Sequence, residues 1–257
     1  MIADDGCPRV GVLGVGVDAL NMKAAVARVE SWIANGTRSY GIFRDVHGVM
    51  LCRHDPELRR IHGAAGMVAP DGMPLVWLAG RLSKRPVSRV YGPDFLIEFC
   101  RTTQSKRYRH FFYGTTPQTL EKLIANLRRV APDMVVAGTL APPFRPLTDS
   151  EAAVEIEQID AARPDVVWVG LSTPKQERWM FAHVGRLKAP ALLGIGAAFD
   201  FHAGTKQQAP LWMQRSGLEW TFRLATEPRR LAGRYLRTIP AFAILIAAQL
   251  TGLHRYE

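Results

Sequence analysis

Cysteine is scarce in this sequence: Cys7, Cys52 and Cys100 are odd in number, scattered, and form no CxxC pair. That argues against a disulfide framework and for a reducing compartment. Long apolar runs are also missing. The best candidate, "PAFAILIAAQLTGL" from Pro240 to Leu253, falls well short of the roughly 20 residues a spanning helix needs. The amino end, "MIADDGCPRVG", lacks the basic flank and apolar centre of a signal peptide, so a body soluble on the inside is expected. Metal-ligand spacing such as HExxH does not occur, and the lone "RHD" at Arg53 to Asp55 reads as helix surface. No metal site and no cofactor are therefore expected. Acids are the minority charge, 23 against 33 Lys and Arg for a net +10, which favours an anionic partner: nucleotide, nucleic acid or acidic lipid. Repeats and low-complexity tracts are absent. What is present is 257 residues, 47% apolar, enough for one large domain with a full core or a domain plus a small appendage.

Short β-branched runs alternate with helix-length amphipathic ones, the order of a parallel sheet covered by helices. "RVGVLGVGV" reads as a first strand, with a helix from Met22 to Ala34. "YGIFRDV" is a second strand, followed by a helix from about Val49 to Ala64. "GMVAP" is a short strand and Met73 to Leu82 a helix. "HFFYG" with "TPQTLEKLIANLRRV", "MVVAGTL" with "DSEAAVEIEQIDAA", and "DVVWVGL" with "TPKQERWMFAHV" repeat the unit. "ALLGIGAAFDF" supplies a last buried strand. From about Pro210 no further strand is expected, only short helices broken at Pro228 and Pro240. The expectation is an α/β, Rossmann-like parallel sheet flanked by helices, residues 1–209, and a basic helical appendage for membrane association, residues 210–257.

Ligands collect at the carboxyl ends of strands in an open parallel sheet, so turn chemistry there is informative. Gly14, Gly16 and Ala19 match GxGxxA after a strand, yet no acid follows about twenty residues on to hold a ribose, which favours strand packing over NAD. In "YGTTPQTLEKL", Gly114 ends a strand, Thr115 or Thr116 can cap, and Pro117 suits the first helical position. Free N–H groups there could hold a diphosphate, or the stretch is an ordinary turn. "VGLSTPKQERW" repeats the arrangement: Gly170, a cap at Ser172 or Thr173, Pro174 opening the helix, then Lys175 and Gln176. A lysine in a first turn opposes the helix dipole, which favours ligand duty. Gly194 and Gly196 end a third strand.

Asp71, in "MVAPDGMPLVWLAG", sits at a fourth strand end. Locally, Asp-Gly before a helix reads as a cap; functionally, the same carboxylate could deprotonate an acceptor hydroxyl. Asp94, in "RVYGPDFLIEF", carries the same ambiguity, with Arg89 nearby as a phosphate or carboxylate partner. His47 reads as a packed turn histidine ahead of a base. In the appendage, residues 220–257 hold six arginines against two glutamates. Arg223, Arg229, Arg230, Arg234 and Arg237 alternate with aromatic and aliphatic residues, as in a helix lying on anionic head groups. The tail after Pro240 favours lipid over nucleic acid.

In order along the chain, "DPELRRIHGAAGMVAPDGMPLVW", "RVYGPD", "GTTP", "APPF", "VGLSTPKQERW", "GIGAAFDFHAG" and "GLEWTFRLATEPRRLAGRY" resemble the WecG/TagA/CpsF family of glycosyltransferases, glycosyltransferase family 26. The resemblance implies inverting, metal-free transfer from a UDP-sugar to a polyprenyl-diphosphate-linked saccharide. The setting would be the cytoplasmic face of the plasma membrane, in cell-surface polysaccharide synthesis. It implies Asp71 as general base. The turns at Gly114, Gly170 to Gln176 and Gly194 to Gly196 would hold the donor, and arginines among Arg215, Arg223, Arg229 and Arg230 would stabilise the leaving diphosphate. It also allows a homotrimer burying the appendage. One departure stands out: where many members carry Thr-x-Asn, this chain has "FRD", Phe43 to Asp45, which makes Asp45 a rival carboxylate to Asp71. The other readings to discriminate are an NAD(P)-dependent oxidoreductase and a basic nucleic-acid-binding module.

Overall fold

A computed structural model describes residues 7–254 and 256, so the opening "MIADDG" lies outside the described residues. The first apolar run is not one strand. It folds back as a hairpin of β1 (Arg9–Val12) and β2 (Val15–Asp18), an antiparallel pair with Val12 opposite Val15. Leu13 and Gly14 turn the chain at φ 52° and 78°, the left-handed pair that a two-residue hairpin loop requires. Gly14 thus serves a hairpin, and Gly16 lies opposite Gly11 within it. The GxGxxA match has no helix N-terminus at its turn, and the NAD(P) reading falls with it.

The remaining strands are β3 (Ser39–Arg44), β4 (Met67–Pro70), β5 (Arg109–Gly114), β6 (Val135–Leu140), β7 (Val166–Gly170) and β8 (Ala191–Gly194). They form one six-stranded sheet in the order β4-β3-β8-β7-β5-β6. Every pairing in it is parallel, so all six carboxyl ends open on the same side. Period-two alternation sends Tyr40, Ile42 and Val68 into one core and Phe43, Met67 and Ala69 into the other. Both faces are buried, which is why the strands read as continuous apolar runs.

Helices α1 (Met22–Asn35), α5 (Gly92–Thr103), α6 (Pro117–Val130) and α9 (Ala198–His202) pack on the second face. The first face takes the hairpin with α2 (Val46–His54), α3 (Pro56–Ala64), α4 (Met73–Ser83), α7 (Asp149–Ala161) and α8 (Lys175–His183). The single helix expected over Val49 to Ala64 is two. Asp55 leaves helical geometry and caps α3 through its bond from Leu58 N (2.9 Å), with Pro56 at the start. Over 92–103 the sequence reading names no helix, because Gly92 and Pro93 mask its first turn. In "ALLGIGAAFDF" only Ala191–Gly194 is strand, and Ala198–His202 is helix.

After α10 (Leu211–Arg215) and α11 (Glu219–Thr226) comes α12 (Pro228–Leu250). Pro240 does not break α12. The proline leaves the Leu236 carbonyl without its helical donor, and Leu236 is 76% exposed, so water can satisfy that oxygen. The resulting helix of 23 residues is, by length and composition alone, long and apolar enough to cross a membrane, which corrects the expectation that no segment is. One side of it is nonetheless tied to the body. Phe242 is buried in the core, and the Gln249 side chain donates to Gly11 O and accepts from Leu13 N, both at 2.8 Å.

The hairpin also secures the site-bearing edge of the sheet. Buried Asp18 accepts from Arg9 Nε (2.7 Å), Arg28 Nη1 (2.8 Å) and the Val68 N–H (2.7 Å), pinning β4 just before Asp71.

Candidate active site

The parallel register places Arg44 beside Pro70, so Asp45 and Asp71 leave adjacent strand ends. Both Asp71 N (2.9 Å) and Gly72 N (3.3 Å) donate to Arg44 O, which holds the two exits together. Asp45 caps α2, its Oδ1 accepting from Gly48 N at 2.9 Å. Asp71 does not cap the helix that follows it. Gly72 takes that position with no side-chain bond, and Asp71 Oδ2 instead accepts from Gly92 N (3.1 Å) at the head of α5. The side chain is therefore aimed across the strand ends rather than along its own helix.

Asp71 faces a cleft lined by Asp45, His47, Arg89, Glu219, Arg223 and Tyr235, among others. Burial raises its pKa to about 6; Arg89 and the Gly92 N–H oppose the rise, while Glu219 and Asp45 add to it. A carboxylate tuned this way is ionised at neutral pH and basic enough to accept a proton. Arg89 fixes the geometry. Its Nε donates to Asp71 O (2.5 Å), its Nη2 lies 3.6 Å from Asp71 Oδ1, and its guanidinium covers the Tyr91 ring at 3.9 Å. His47 lines the same wall; burial lowers its pKa first, with Arg234 and Arg44 adding to the effect, which favours the neutral imidazole.

The opposite wall comes from the C-terminal helices. Glu219 Oε2 accepts from Arg89 Nη2 and Glu219 Oε1 from Arg223 Nη2, each at 2.5 Å, and Gln214 meets Arg89 Nη1 at 3.3 Å. Arg223 also lies over the Phe201 ring. Behind this pair a second cavity opens, lined by Ala197, Phe201, Lys206, Gln207, Arg223 and Arg230 among others, next to the end of β8.

The turn residues divide. Gly114 (φ 125°) and Gly170 lie opposite each other on β5 and β7, where a Cβ on Gly114 would meet Gly170 O at 2.6 Å. Thr116 rather than Thr115 caps α6, and Thr115 takes φ 53°. At α8 neither Ser172 nor Thr173 caps: Pro174 holds that position, helix begins at Lys175, and Thr173 Oγ1 donates to Glu177 Oε1 (2.8 Å). Gln176, 3% exposed, donates to Gly194 O (3.1 Å) and leaves its Oε1 unpartnered beside Gly196, whose φ is 53°.

Asp71, Asp45, Arg89 and Arg223 are thus gathered around one cleft, while Arg230 joins the second cavity. Asp94, Lys175, Arg215 and Arg229 are exposed and line neither. Phe43 is not among the residues lining the cleft; it is buried against Phe95 with ring centroids 5.0 Å apart. Sequence reading passed over Glu219, Gln214 and Tyr91, none of which stands at a strand end. It also passed over the Arg44–Glu177 pair (2.5 Å), buried beneath the site at 1% and 0% exposure. A glutamate directly before Trp220 in an arginine-rich segment was the available signal for Glu219.

Strand ends that bring a tuned carboxylate to face guanidiniums suit a group-transfer enzyme that activates a hydroxyl and receives an anion. The chain belongs to the Glycosyl transferase WecG/TagA/CpsF family, whose sequence profile matches residues 10–256. It is a glycosyltransferase. Similar relatives include the N-acetylglucosaminyldiphosphoundecaprenol N-acetyl-beta-D-mannosaminyltransferases of Staphylococcus aureus strains NCTC 8325 / PS 47 and MRSA252. Each is 26% identical over 242 residues, covering 93% of this chain and 92% of the relative.

Proposed function

We propose that this enzyme transfers a sugar from a UDP-sugar to a saccharide carried on a polyprenyl diphosphate, with inversion and with no metal in the chemical step. The observation that carries the reading is Asp71, its pKa raised to about 6, in a cleft with Arg89 beside it and Arg223 on the opposite wall. Asp71 takes the proton of the acceptor hydroxyl as its oxygen bonds to the anomeric carbon. The bond from that carbon to the diphosphate breaks on the opposite side. The charge left on UDP passes to guanidiniums, Arg223 first and Arg230 from the second cavity. Gln176 with its free carbonyl oxygen, Gly194 and Gly196 edge the donor side, and Asp45 lines the acceptor side as the rival carboxylate. The names of the relatives supply the first pair to try: N-acetylmannosamine as the sugar and a lipid-diphosphate N-acetylglucosamine as the acceptor. A thermal-shift screen of UDP-sugars should show stabilisation by UDP and by the true donor. Turnover with a short-chain lipid-linked acceptor should then persist in EDTA; complete loss in EDTA, restored by a divalent ion, would contradict the metal-free step.

In this reading residues 210–257 form the membrane-facing appendage, at the cytoplasmic face. Leu236, Ile244 and Leu253 are 76%, 70% and 83% exposed, and Trp212 is 63% exposed. Because Phe242 and Gln249 bind the body, α12 is read as lying on the bilayer rather than crossing it. Removing the helix would uncover the core, so the cleaner variant is Leu236→Glu with Ile244→Glu on the exposed side. It should weaken binding to anionic vesicles by roughly tenfold or more at an unchanged melting temperature. Undiminished vesicle binding would show that this surface is not the anchor.

A further inference from the structure

The carboxylate of Glu219 stands where an anion of another kind is called for. Its two oxygens take Arg89 Nη2 and Arg223 Nη2 at 2.5 Å each, and the Tyr91 hydroxyl lies 3.4 Å from Oε1. Side-chain exposures of 16% for Arg89 and 15% for Glu219 make this a part-buried pair rather than a surface contact. Glu219 and Arg223 are common to both cavities, the one holding Asp71 and the one holding Lys206 and Arg230. The glutamate therefore separates the carboxylate that would activate an acceptor from the cations that would receive a leaving group.

We propose that Glu219 is an internal counter-anion: a positioning residue that holds Arg89 and Arg223 in place in the empty enzyme and is exchanged for the substrate's diphosphate. The inference rests on the reading of a diphosphate-bearing substrate given above. Three features support it. The carboxylate satisfies two guanidiniums at once, as adjacent phosphate oxygens would. The ion pair of Arg223 with Glu219 is an i,i+4 contact within one helix, so a competing anion can displace it without unfolding α11. Arg89 has a second carboxylate, Asp71, 3.6 Å away, so it stays compensated when Glu219 lets go.

The inference sets Glu219 apart from a residue that merely braces the appendage. Loss of a brace would loosen the arginines and weaken anion binding, whereas loss of a competitor strengthens it. The test compares wild type with Glu219→Gln by calorimetric titration with inorganic pyrophosphate and with UDP, together with donor kinetics. Pyrophosphate and UDP should each bind the variant about fivefold more tightly, the scale of one released part-buried ion pair. The donor KM should fall with no rise in kcat. Equal or weaker binding by a folded variant overturns the proposal. Tighter pyrophosphate with UDP no better than pyrophosphate upholds the exchange and removes the nucleotide reading instead. No binding of either probe to either form at millimolar concentration removes both. Should Glu219→Gln fail to fold, Glu219→Asp keeps the charge but shortens its reach, and the same tightening is expected. Unchanged affinity there counts equally against the exchange.

Discussion

Asp71→Asn is expected to lose about a thousandfold or more in turnover while melting no lower than wild type, the scale of a lost general base. The asparagine Oδ1 can keep the bond from Gly92 N, so the turn after β4 stays anchored to the head of α5. What the amide cannot do is ionise. The wild-type carboxyl sits at about 6, above its ordinary value, so its proton is held more tightly in the folded chain than in the unfolded one. The stabilisation attached to that proton is complete below the unfolded pKa and is lost as pH rises through about 6. At neutral pH the wild type therefore carries a burden on the order of 2–3 kcal/mol that the amide removes. The catalytic sign is opposite, because the base works only when ionised. The rate should rise tenfold per unit up to about pH 6 and then level. Substantial turnover by Asp71→Asn, or an acid limb that survives in it unchanged, would transfer the role to Asp45.

The largest stability effect is expected at Glu177. Arg44 and Glu177 are almost wholly buried and meet at 2.5 Å, with Thr173 Oγ1 as a further donor to the glutamate. Glu177→Ala leaves a guanidinium with no counter-charge in the core, a change that costs about 3–5 kcal/mol. Arg44 cannot withdraw easily, since it runs along Gly48, where even a Cβ would collide with it. Urea denaturation should show this loss in the midpoint with little change in slope. Replacing both partners, Arg44→Met with Glu177→Leu, should recover much of it, because the cost lies in the unpaired charge and not in the missing attraction. A single variant as stable as wild type would mean that water reaches Arg44.

The sheet was legible because its strands are short, β-branched and buried on both faces, so each stands out between amphipathic helices. The hairpin was not, because "RVGVLGVGV" is apolar after Arg9 and its turn is marked only by Leu13 and Gly14, of which Leu13 carries no turn chemistry. Asp71 could be found from its place at a strand end, yet its release from capping duty depends on Gly92, 21 positions away. Arg89 and Arg223 were legible as charges. Their shared partner Glu219 was not, because it is α11 meeting the segment ahead of α5 that brings the three together. Arg229 and Arg230 are neighbours in sequence and part company on one helical turn, so only Arg230 meets a cavity. Such facing relations across distant segments are set by packing, which periodicity alone does not encode.

The most direct test of the central claim is transfer itself. Wild-type enzyme on anionic vesicles would be given a panel of labelled UDP-sugars, N-acetylmannosamine first, with a short polyprenyl-diphosphate N-acetylglucosamine acceptor. The lipid product would then be isolated and its new glycosidic bond assigned by NMR. The expected result is label on the lipid with inverted anomeric configuration, formed in EDTA and absent with Asp71→Asn. Lipid product of retained configuration, or a UDP-sugar consumed at the same rate with and without the lipid acceptor, would contradict it.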